Sequence, residues 1–151
     1  MKTRFSLKLD LDETEQTLLF QAFQYLIEFQ GGEGVISREL ADHLAAGSKD
    51  ETLPERRFAE LIGSEPIGID IMAMGDGGMR LGDIDGEPNL RMLCQIIANL
   101  VPRLLPLEFS FALVDDVNHR YSGGLVVMTT TMAEVQTIDS MLARRGGKML
   151  H

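Results

Sequence analysis

Apolar and polar residues alternate from the first positions of the chain. Phe5, Leu7, Leu9 and Leu11 fall on one side and Arg4, Ser6, Lys8 and Asp10 on the other, so Thr3–Leu11 reads as a half-buried strand. The period then changes from two to 3.6. Asp12 and Glu15 form a D-x-x-E capping pair, and Leu18, Leu19, Ala22, Phe23, Leu26 and Ile27 recur at helical spacing until Gly31 and Gly32. Ser37 serves as N-cap of a shorter helix carrying Leu40, Ala41, Leu44 and Ala45 to Gly47. Pro54 opens another, with Phe58, Leu61 and Ile62 before Gly63.

Alternation returns at Ile67, Ile69, Ile71 and Ala73. Gly75, Asp76, Gly77 and Gly78 then turn the chain into Met79 and Leu81, a hairpin. After the acidic loop from Gly82 to Glu87, Pro88 begins a helix whose residues Leu90, Met92, Leu93, Cys94, Ile96, Ile97 and Leu100 leave almost no polar face, which places it in the core. Pro102 and Pro106 bracket its exit. Leu107, Phe109, Phe111 and Leu113 form a further strand, with Leu125 to Thr130 as its return. Thr131 and Glu134 suggest a second capping box for a final helix with the stripe Val135, Ile138 and Leu142, ending near Arg144, Arg145 and Gly146. The expected order is β-α-α-α-β-β-α-β-β-α. It defines an α+β fold in one domain, with a five-stranded mixed or antiparallel sheet, helices mainly on one face and a frayed tail from about residue 147.

If helices cover one face only, the alternate strand residues Arg4, Ser6, Lys8, Asp70, Met72, Met74, Arg80, Glu108 and Ser110 form a second, open face. It is a candidate binding surface, a solvated sheet face or a homodimer seam. Methionines sharpen the point. After Met1 none occurs until Met72, and eight fall between there and Met149. Most suit core filling, but flexible thioethers on an open face suit contacts with protein partners.

The densest chemistry lies in the turn from Asp115 to Gly124, which holds Asp115, Asp116, His119, Arg120, Tyr121 and Ser122. An aspartate could orient His119 while Ser122 or Tyr121 acts as nucleophile or proton donor. Residues so close on one hairpin seldom converge, because strand side chains alternate faces. A solvated hairpin, with Gly123 and Gly124 supplying a bulge or positive φ, explains the same residues.

Composition narrows the remaining classes. The chain has 151 residues and a formal charge of −9. Residues 1–100 hold nine Lys and Arg against eighteen Asp and Glu, while residues 101–151 hold five of each. Such acidity repels phosphate backbones and argues against direct nucleic-acid binding, but it would attract a basic protein partner. The single cysteine, Cys94, cannot close an internal disulfide and reads as a small buried hydrophobe. No window resembles a signal peptide or a membrane span, so a soluble cytoplasmic protein with no membrane partner is expected.

Asp76, Asp83, Asp85 and Glu87 offer hard oxygen ligands, but neither register places glycine and glutamate where an EF-hand needs them. The scattered His43, His119 and His151 give no zinc spacing. Gly75, Gly77 and Gly78 lack the Gly-Lys-Ser/Thr of a phosphate loop. No motif demands a cofactor. The reading is a non-enzymatic regulatory or accessory protein that binds another macromolecule through the open sheet face or the acidic surface. Its binding set is Arg4, Lys8, Asp70, Met72, Met74, Arg80, Glu108, Asp116, His119 and Arg120. The alternative is a small enzyme or ligand-binding protein built on Asp115, His119 and Ser122.

Overall fold

The alternating run at the N-terminus serves two sheets. The computed structural model describes residues 2–30, 37–38, 40–42, 66–76, 78–130 and 132–137, with the backbone alone at 27–30. Its elements are β1 (Lys2–Arg4), β2 (Ser6–Asp10), α1 (Glu13–Gln30), β3 (Ile69–Ala73), β4 (Gly78–Asp83), α2 (Leu90–Leu100), a 3₁₀ turn (Pro102–Leu104), β5 (Leu107–Asp115), β6 (Arg120–Met128) and β7 (Ala133–Thr137). The class is α+β and every strand pair is antiparallel. The single five-stranded sheet is corrected to two sheets, ordered β1-β5-β6-β7 and β2-β4-β3.

The reason for the split lies at Phe5. β1 pairs with β5, Thr3 facing Leu113, whereas β2 pairs with β4, Leu7 facing Leu81. Between them the Phe5 N–H has neither ladder to join, and it donates instead to Asp83 Oδ1 at 2.9 Å. The other carboxylate oxygen accepts from Arg4 Nη1 at 2.7 Å, and the Asp83 side chain is only 6% exposed. On the apolar side of this junction Phe5 packs against Phe109, ring centroids 5.4 Å apart. The loop after β4 crosses β1, where Gly86 O accepts from Thr3 N at 2.8 Å. Gly86 has φ 84° and the Lys2 side chain lies where its Cβ would be, so this position requires glycine.

Both helices are fixed by their first turns. Asp12 Oδ1 accepts from Glu15 N at 2.8 Å and Glu15 Oε1 from Asp12 N at 3.0 Å, the reciprocal capping box that the sequence indicates. Glu15 also holds Arg103 of the 3₁₀ turn in a two-pronged pair, and Arg103 Nη2 reaches Asp10 O at 2.8 Å. α2 starts two residues later than Pro88 suggests, because the Asn89 side chain caps it by accepting from Met92 N at 3.1 Å. Leu18, Leu19, Phe23 and Leu26 of α1 and Leu93, Ile96 and Ile97 of α2 meet the inward Leu7, Leu9, Met79, Leu81, Phe109 and Val126 in one core. Cys94 is buried there as expected. Its Sγ donates to Thr129 O at 3.4 Å, and burial pushes the thiol up from its ordinary value.

Three local expectations change. The return strand starts at Arg120 rather than Leu125, because Gly123 and Gly124 belong to an unbroken ladder, opposite Ala112 and Phe111. Neither makes a bulge or has positive φ. Their lack of side chains admits close neighbours: a Cβ on Gly123 would stand 2.7 Å from Phe111 O, and one on Gly124 would overlap Gln136 O. The final helix is overturned over Ala133–Thr137, which is β7 paired along β6, with Val135 facing Val126. Ser37 behaves as an N-cap, its Oγ accepting from Leu40 N at 3.2 Å. The rest of that helix, the Pro54 helix and residues 138–151 lie outside the described residues.

Burial works against ionising Asp83, yet the Phe5 N–H and the Arg4 guanidinium outweigh it and hold the carboxyl below 3.8. Glu15 is held below 4.5, chiefly by its hydrogen bond to Arg103. For a depressed carboxyl, the stability gained is complete above the unfolded value and is lost as pH falls through the folded one. Stability should therefore be flat near pH 6 and fall below about pH 4, more gently in Asp83→Asn. At pH 7, Asp83→Ala should cost about 1–3 kcal/mol in urea unfolding, because it strands a buried N–H. A loss under about 0.5 kcal/mol, the usual surface range, would contradict this role for the carboxylate.

Candidate functional site

Antiparallel partners share a face, so the outward residues of the smaller sheet line up in rows across it. Ser6, Gly82 and Asp70 form one row and Lys8, Arg80 and Met72 the next. Lys8 and Arg80 are exposed, and Met72 is 60% exposed. The Lys8 stem lies over Gly78, where a Cβ would come within 2.8 Å of it, and its ammonium reaches Asp76 Oδ2 at 2.6 Å. The Asp76 hydrogen bond raises the Lys8 pKa, and the same contact lowers that of Asp76. Lys8 is thus tied down, while Arg80 makes no ion pair among the described residues. The row presents an exposed guanidinium beside a thioether.

The other sheet-face candidates have separate places. Met74 N donates to Gly78 O and Ile84 N to Gly68 O. These bonds set the alternation along β3, turning the backbone groups of Ile69, Ile71 and Ala73 to the sheet edge. Asp70 Oδ1 accepts the Ile71 N–H at 2.9 Å, occupying one of those edge donors. Met74 is half-buried at the end of β3. Arg4 is engaged by Asp83 across the junction. Glu108 is exposed on the outer face of the larger sheet, opposite Val127, which in turn faces Glu134. The structure therefore groups Lys8, Arg80 and Met72, sets Asp70 one row away, and leaves Arg4 and Glu108 on the neighbouring sheet.

The hairpin tip stands apart from all of these. Asp115 and Arg120 pair across β5 and β6, leaving a four-residue loop of exposed Asp116, Val117, Asn118 and His119. Asp115 does not orient His119. Its two oxygens accept from Asn118 Nδ2 at 2.8 Å and Asn118 N at 3.2 Å, and the side-chain bond leads in lowering the Asp115 pKa. Tyr121 and Ser122 are adjacent in β6 and so face opposite sides of the sheet. Asp115 lies seven strand positions beyond Glu108, a span of about 23 Å. The turn is thus not brought beside Glu108, and its acid, imidazole and hydroxyl do not converge.

Among the described residues no group of three or more His, Cys, Asp or Glu could hold a metal ion. None of their helices is long and apolar enough to cross a membrane. Comparison with known proteins finds no matching family model, curated protein or solved structure. One surface escapes the sequence reading altogether, the cleft between α2 and β7. Assigning a helix to residues 131–142 conceals it. The alternation Ala133, Val135, Thr137 against Glu134 and Gln136, with two β-branched residues, is the signal that marks a strand there.

His119 has φ 50°, a left-handed conformation that costs an L-residue energy. If the loop is a simple connection, His119→Gly should raise thermal stability slightly, by at most about 1 kcal/mol, because glycine's unfolded-state entropy offsets part of the relief. Calorimetry of the two proteins checks this, and a clear loss of stability would show that the imidazole makes a contact worth keeping.

Proposed function

We propose that this protein acts by binding a macromolecular partner through the open face of the β2-β4-β3 sheet. The observation that carries the reading is the row of Lys8, Arg80 and Met72, in which a 60%-exposed methionine lies beside a guanidinium that makes no ion pair among the described residues. A large exposed thioether next to a charged group capable of several hydrogen bonds suits a protein surface better than solvent alone.

Charge compensation separates this reading from one based on the acidic surface. Lys8 is neutralised by Asp76, Arg4 by Asp83, and Lys2 lies 3.9 Å from Glu87. Attraction of a basic partner by net charge would weaken steeply with salt, whereas contact centred on the exposed Met72 would weaken much less.

The test is a quantitative capture experiment comparing the unaltered protein with Met72→Glu and, as control, Val117→Glu at the 87%-exposed hairpin tip. A partner should be retained at several hundred millimolar salt, lost at least about tenfold with Met72→Glu, and unaffected by Val117→Glu. Retention that vanishes at moderate salt in every version, with no effect of Met72→Glu, would transfer the function to the acidic surface.

A further inference from the structure

β7 is the outer strand of the larger sheet, and no strand pairs beyond it among the described residues. The register shows which of its backbone groups are turned outward. Thr129 N donates to Met132 O at 2.8 Å, making these two a hydrogen-bonded pair. Alternation makes Val127 with Glu134 and Leu125 with Gln136 the next bonded pairs, so the N–H and C=O of Ala133 and Val135 point away from β6. β7 contains no lysine and no proline, two of the usual protections of a sheet edge.

α2 packs near β7, and cavities open beside the helix on the inner face of the larger sheet. One, of about 620 Å³, runs across the inner face of the larger sheet from Thr3 of β1 past Phe111 and Leu113 of β5 to the 49%-exposed Val135 of β7, with Glu87 in its lining at the helix start. The other, of about 360 Å³, includes Ala98 and Met132. Arg91 lines both. It is the only charged residue of α2, is exposed, and makes no ion pair among the described residues.

We propose that this groove binds an extended peptide segment of a protein partner, which adds to β7 as a new strand and sets an acidic side chain against Arg91. Main-chain bonds to the outward groups of β7 supply affinity, and pockets for alternate side chains supply selectivity. Residues i, i+2 and i+4 of an added strand face the same side, about 6.7 Å apart. The groove therefore reads apolar, acidic, apolar at alternate positions. It lies on the helix-covered side of the larger sheet, so this proposal and the Met72 face can fail separately.

The experiment is fluorescence anisotropy with a labelled heptapeptide carrying valine at positions 2 and 6, glutamate at 4 and serine elsewhere, and a companion with lysine at 4. The glutamate peptide should bind the full chain at least about tenfold more tightly than the lysine peptide, and Arg91→Glu should reverse that order. Val135→Pro should weaken the glutamate peptide at least about tenfold. The N–H it removes is not used in pairing with β6, so the fold should tolerate it. Absence of saturable binding by either peptide would overturn the proposal, as would equal affinity for both. Self-association in sedimentation equilibrium that Val135→Pro abolishes, without peptide binding, would overturn it in favour of a second copy of the chain.

Discussion

The structure depends on one buried carboxylate. A strand that leaves one sheet and enters another must pass through a residue whose backbone neither ladder satisfies, and an unpaired buried N–H costs about as much as a lost hydrogen bond. Asp83 answers this at Phe5, taking the amide on one oxygen and the Arg4 guanidinium on the other. Because Asp83 closes β4 and Arg4 closes β1, the pair joins the last residue of a strand in one sheet to the last residue of a strand in the other. The Phe5–Phe109 contact does the same on the apolar side. Without this junction the sheets would have no reason to share a strand.

The remaining architecture follows from that bend. Dividing the seven described strands between two sheets puts β1 and β2 at one edge of each, β7 and β3 at the opposite edges, and leaves an outward face on each sheet. The edges are treated differently. At β3, Asp70 covers the Ile71 donor; at β7, nothing among the described residues plays that part beside Val135, and the neighbouring helix stripe carries Arg91. The two surfaces proposed for binding, the Met72–Arg80 face and the α2–β7 groove, are places where exposed apolar groups stand beside guanidinium groups that make no ion pair among the described residues. The hairpin at Asp115–Arg120, rich in reactive residue types, is organised by its own short-range bonds to Asn118.

What the sequence reveals is largely what is local. The capping box of Asp12 and Glu15, the alternation of Leu7 and Leu9, the buried stripe of α2 and the burial of Cys94 all depend on neighbours a few residues away, and each appears as the pattern indicates. The strand break at Phe5 is invisible because Phe5 continues the alternation perfectly; only Asp83, 78 positions further on, interrupts the ladder. β7 is misread for a related reason. A threonine and a glutamate at capping-box spacing satisfy a local rule, while pairing along β6 from Met128 to Gly124 decides the outcome. For the binding set, exposure follows from alternation, but which charges are already neutralised depends on long-range pairs such as Lys8 with Asp76.

The central claim is that the shared strand makes the two sheets one cooperative unit. Native-state hydrogen exchange reports this directly, since each amide gives the free energy of the opening that exposes it. The slowest amides of β4, around Leu81, should exchange with the same opening free energy as those of β5 and β6, around Phe109 and Val126. They should also lose equal amounts of it in Asp83→Ala. Two distinct opening free energies in the unaltered protein, with only one responding to Asp83→Ala, would contradict the account.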